Sequence, residues 1–170
     1  MIAPEIYNPE QWKDFFVLVG TGSATLAGLV FIAMTINLHA VTQDGTHRYR
    51  AINMLSGFTS VFIISALVLM GGQTYHAVAL EWLLISLFAT IVNTNGYVQA
   101  FKHQSSLYAL SKFRIIGGST CYIGQLICSL VLYFGTRAGI YIAAVALIIN
   151  FYFFVSGAWL LIMGTLHNPE

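Results

Sequence analysis

The run GTGSATLAGLVFIAMTINLH, Gly20 to His39, places Gly20, Thr21, Gly22, Ser23, Thr25, Gly28, Thr35 and Asn37 inside a segment otherwise apolar enough to cross a bilayer. Residues three and four apart share a helix face, so Thr21, Thr25, Gly28, Ile32, Thr35 and His39 form one stripe. Two kinds of chemistry suit such a stripe. Hydroxyls and bare backbone can line a path for water, ions or small polar solutes. Small residues can also let helices approach closely in lipid, where no hydrophobic force drives association. Gly20, Ala24 and Gly28 form two successive small-xxx-small steps, which suits packing. The hydroxyls fit either reading, because Ser and Thr can bond carbonyls of their own helix.

The other apolar runs carry similar stripes: Asn53, Ser56, Gly57 and Ser60; Ser86, Ala89, Asn93 and Gly96; Gly117, Cys121, Gly124 and Cys128; Gly139, Ala143, Ala146, Asn150 and Gly157. Each run also holds a side-chain amide: Asn37, Asn53, Asn93 with Asn95, Gln125 and Asn150. An amide facing lipid leaves polar atoms unsatisfied, so these should point inward and bond between helices. Asn53, Gln125 and Asn150 read as interhelical glue. The cluster NTNG, Asn93 to Gly96, is the best candidate for a polar cavity that coordinates an ion or small ligand.

Ionisable groups are scarce where proton or ion coupling would need them, since no Asp, Glu, Lys or Arg falls in the predicted middle of any run. Glu81, beside Trp82 at one end of its run, suits the positive end of a helix dipole. In an assembly it would form a ring of negative charge at an external mouth. His39 and His103 fall at the same predicted side, and a haem or quinone anchor would use them. No HExxH, GxSxG or P-loop pattern occurs, so the chain reads as a non-enzyme with no metal site and no cofactor. Cys121 and Cys128 lie on one helix face, which precludes a disulfide between them.

These residues must be positioned by membrane helices. Of the 170 residues, 58% are hydrophobic and 8% charged, far from the roughly 25% charged of soluble domains. Five runs of the required ~20 residues are found, at roughly 14–40, 52–71, 77–101, 115–135 and 139–165. The fold expected is a single all-α integral membrane domain, 1–170, a bundle of about five transmembrane helices. It has four if the glycine-rich fourth run, IIGGSTCYIGQ, does not span. The acidic N-terminal stretch without a basic n-region reads as retained rather than as a signal peptide. Asn8, Pro9 and Glu10 resemble a helix start. Glycines in GGQTYH and GTRAG mark tight turns.

Arg48, Arg50, Lys102, Lys112 and Arg114 fall on one side, against Lys13 and Arg137 on the other. That asymmetry predicts the N-terminus outside, the C-terminus cytoplasmic and a multi-pass location in the cell membrane. The basic loops read as lipid contacts and not as a nucleic-acid surface. Trp12, Tyr49, Tyr75, Trp82, Tyr108, Tyr133 and Tyr141 fall near predicted boundaries, at headgroup level.

Three functions remain open from sequence. The first is a homo-oligomeric channel or passive transporter for ions or small solutes, with the neutral polar face of the first helix lining the path. The second is a non-catalytic subunit or regulator that binds other membrane proteins. The third is the haem or quinone anchor on His39 and His103.

Overall fold

The computed structural model describes residues 9–36, 38, 45–102 and 108–166. These form five helices: α1 (Pro9–Ile36), α2 (Gly45–Leu69), α3 (Tyr75–Lys102), α4 (Tyr108–Tyr133) and α5 (Ala138–Leu166). Each contains a stretch long and apolar enough to cross a membrane; the fourth, Ile116–Tyr133, has the lowest mean hydropathy, 1.4, yet still qualifies. Glycine-rich composition in that helix therefore lowers apolarity without interrupting the helix.

The helices overrun the apolar segments. Gly45 begins α2 and Tyr108 begins α4, so Arg48, Arg50, Lys112 and Arg114, expected in loops, belong to helical turns. Apolarity stops where lipid would stop, whereas hydrogen bonding along the backbone continues into the polar layer. The two glycine turns are as expected. Gly72 and Gly135 take φ of 81° and 75°, the left-handed region that costs glycine little. After α4 the turn closes through Gly135 N to Leu132 O at 2.9 Å and Thr136 N to Val131 O at 3.2 Å.

Helix α2 packs against α1, α3 and α5; α4 joins α3 to α5, and α1 leans on α2 with a smaller contact to α5. The core is filled by Phe16, Phe58, Ile64, Trp82, Leu132, Leu147 and Phe154. Edge-to-face rings tie α2 to α5 and α1 to α3: Phe58 meets Phe154 at 5.3 Å and Phe151 at 5.9 Å, and Phe16 meets Trp82 at 6.0 Å. Trp82, expected at headgroup level, is 2% exposed. The steps of three and four that link Val78, Trp82, Ser86, Ala89 and Asn93 put it on the inward face of α3.

Polarity is inverted relative to a water-soluble bundle. Leu18, Ile36, Phe88, Phe134 and Tyr152 are exposed, while Ser23, Ser86, Gln125, Ser129 and Asn150 are buried. Contiguous apolar surface on this scale is uncommon on soluble monomers.

Candidate functional site

Helix periodicity separates the residues of the opening run. Two residues along a helix turn about 200°, so Ser23 lies opposite Thr21. Ser23 is buried and donates to Gly20 O at 2.9 Å. Thr21, Thr25, Gly28 and Thr35 are all exposed on the outer side of α1. Thr25 donates to Thr21 O at 2.9 Å, and Thr35 to Ile32 O at 2.8 Å. The hydroxyl hydrogens are thus satisfied within the helix, while each oxygen keeps acceptor capacity toward its surroundings.

The trio Gly20, Ala24 and Gly28 does not act as one face inside the chain. Each four-residue step advances about 40°, and across the trio this carries the residues from the inner to the outer side. Gly20 is buried against Ser65 of α2, whose Cβ would lie 2.9 Å from a Cβ on Gly20. Ala24 is exposed, and a Cβ on Gly28 would meet nothing within 4 Å.

In the other helices the small-and-polar stripe turns inward or to a neighbouring helix. Gly57 lies under the ring of Phe154, Gly96 against the amide of Asn53, Gly117 under Phe153, and Gly139 against Leu132. These contacts join α2 to α5, α3 to α2, and α4 to α5. Only in α1, among the described helices, does the stripe of Thr21, Thr25, Gly28 and Thr35 face away from its own bundle.

The amides behave unequally. Ser86 donates to Gln125 Oε1 at 3.3 Å, an interhelical bond between α3 and α4 that nothing in a separation of 39 residues announces. Asn150 is 0% exposed, and neither its Nδ2 nor its Oδ1 has a hydrogen-bond partner among the described residues. Asn53 Oδ1 is likewise buried and unpartnered. Asn93 is buried but Asn95 is exposed; two residues apart, they occupy opposite sides of α3 and cannot line one cavity.

At the end of the bundle where α1 begins, Glu81 is half-buried and accepts from Gln73 Nε2 at 3.1 Å. In the single chain this carboxylate therefore braces the turn between α2 and α3. His76 stacks on Tyr75 with ring centroids 4.0 Å apart and meets Tyr133 at 5.2 Å. Asn8, Asn37, His39 and His103 lie outside the described residues. Among the described residues no three His, Cys, Asp or Glu side chains gather as metal ligands do.

No protein-family model, no curated protein and no solved structure matches this chain.

Proposed function

We propose that this is a non-catalytic, multi-pass membrane protein that assembles with copies of itself through the outer face of α1. One observation carries the reading: among the described residues, the stripe of α1 is the one that no helix of its own chain covers. In lipid, a row of small residues gains most when another backbone lies against it. The interior of one protomer is filled by large side chains, so a route through a single bundle has no support. A passive path for ions or small solutes would run between protomers, and Thr21, Thr25 and Thr35 favour it because they bring acceptor oxygens to that same face.

The test separates assembly from conduction. Gly28→Leu should leave the thermal unfolding of the protomer unchanged, since a Cβ there would meet nothing of the neighbouring helices within 4 Å, while the oligomer seen by light scattering in detergent falls apart. A wild-type protein that stays monomeric at every concentration, and becomes stable only with another membrane protein present, overturns self-assembly in favour of a subunit role.

Conduction is read from thiol chemistry and flux. Thr25→Cys in the assembled protein should react with a water-soluble thiol reagent and lower solute flux into liposomes, whereas a cysteine at Val30, on the buried side of α1, should do neither. A Thr25→Cys protein that assembles yet stays unreactive shows a dry interface and removes the path.

A further inference from the structure

We infer that the groove between α4 and α5 is a binding site for one anionic phospholipid, with an acyl chain in the groove and the phosphate at Arg137. The inference rests on the reading that the helices cross a bilayer. The groove encloses about 560 Å³ and is lined by Gly117, Cys121 and Gly124 of α4 with Tyr141, Val145 and Phe153 of α5. Two of the α4 positions are glycines, so the floor is helix backbone where side chains would otherwise fill the space. Phe153 closes the far end by seating its ring on Gly117.

Length and depth agree with a single acyl chain. From Tyr141 to Phe153 is twelve residues, about 18 Å at 1.5 Å per residue, close to one leaflet of the ~30 Å hydrocarbon core. The groove starts at the end of the bundle where α5 begins, and Arg137 stands there, one residue before Ala138 and one turn before Tyr141. Arg137 is exposed. A guanidinium matches a phosphate in charge and geometry, and Tyr141 supplies the amphipathic ring found at headgroup level. The cation at the mouth and the apolar channel below it match the two parts of a phospholipid.

The full-length protein is purified in detergent, incubated with dioleoyl phosphatidylglycerol or dioleoyl phosphatidylcholine, and weighed by native mass spectrometry. Wild type should retain one phosphatidylglycerol, about fivefold more than phosphatidylcholine, the preference expected of one cation near the headgroup. Gly124→Leu should abolish retention. Ile149→Trp fills the groove from its exposed rim without touching the packed side of α5 and should do the same. Arg137→Gln should reduce phosphatidylglycerol to the phosphatidylcholine level. Ile148→Trp, also exposed but outside the groove, should bind as wild type does.

Retention by Ile149→Trp equal to wild type, loss in Ile148→Trp, or no change in Arg137→Gln each overturns the site. The bilayer reading is checked separately by extracting cell membranes with alkaline carbonate. Release of the protein there refutes membrane insertion itself, whereas an inserted protein with an indifferent groove refutes only the lipid site.

Discussion

Gly139→Val is expected to lower stability by about 3 kcal/mol, the upper part of the range for overpacking, and to do so more than any change on the outer face of α1. A Cβ at this position would lie 2.7 Å from the backbone nitrogen of Leu132, 2.9 Å from its Cα and 3.0 Å from its Cβ. Backbone atoms in the last turn of α4 cannot step aside as a side chain can. The tight turn holds them in place: Gly135 at φ 75° and the bonds from Gly135, Thr136 and Gly139 fix the two helix ends at this spacing. Gly57 offers a contrast, because its obstacle is the ring of Phe154, which has a rotatable bond to yield by. Thermal unfolding in detergent should rank Gly139→Val well below Gly57→Ala, with Gly28→Leu unchanged from wild type. A Gly139→Val protein that melts with wild type would mean that α4 and α5 do not approach closely there.

Asn150→Leu should raise stability by about 1–3 kcal/mol, the desolvation penalty of buried polar groups left without partners. The amide is fully buried and both of its polar atoms are unpaired among the described residues, while leucine has the same branched shape, at a larger volume, and a better helix propensity. Gln125 should respond in the opposite sense. Its Oε1 accepts from Ser86 across the interface of α3 and α4, and Gln125→Leu strands that hydroxyl and forfeits a bond of about 0.6–1 kcal/mol. Paired chemical or thermal unfolding of the two variants decides the matter. If Asn150→Leu destabilises as Gln125→Leu does, the amide is engaged in the folded protein and the apolar account of that part of the core fails.

The sequence, read alone, determined the class of structure. Five apolar runs of spanning length, glycine turns and scarce charge all rest on local sums over neighbouring residues, and a helix formed over each run, with α2 and α4 starting about two turns before theirs. Tight turns at Gly72 and Gly135 were legible because left-handed backbone is a local demand. The small-and-polar stripes were legible too, since helical periodicity requires only spacing.

The tertiary structure decided which stripe meets which partner. In water, the polar side of a helix declares itself as the outside. In a bundle whose exposed surface is apolar, the inner and outer sides are both largely apolar, and periodicity marks a face without saying where it points. Ser23 and Thr21 are alike in composition, yet one is buried and the other exposed. Asn93 and Asn95 divide the same way. The bond from Ser86 to Gln125 and the isolation of Asn150 depend on how α3, α4 and α5 are rotated against their neighbours. That rotation is set by pairwise packing between residues distant in the chain, such as Phe154 on Gly57 and Phe153 on Gly117. Stripe spacing within one helix carries no information about it.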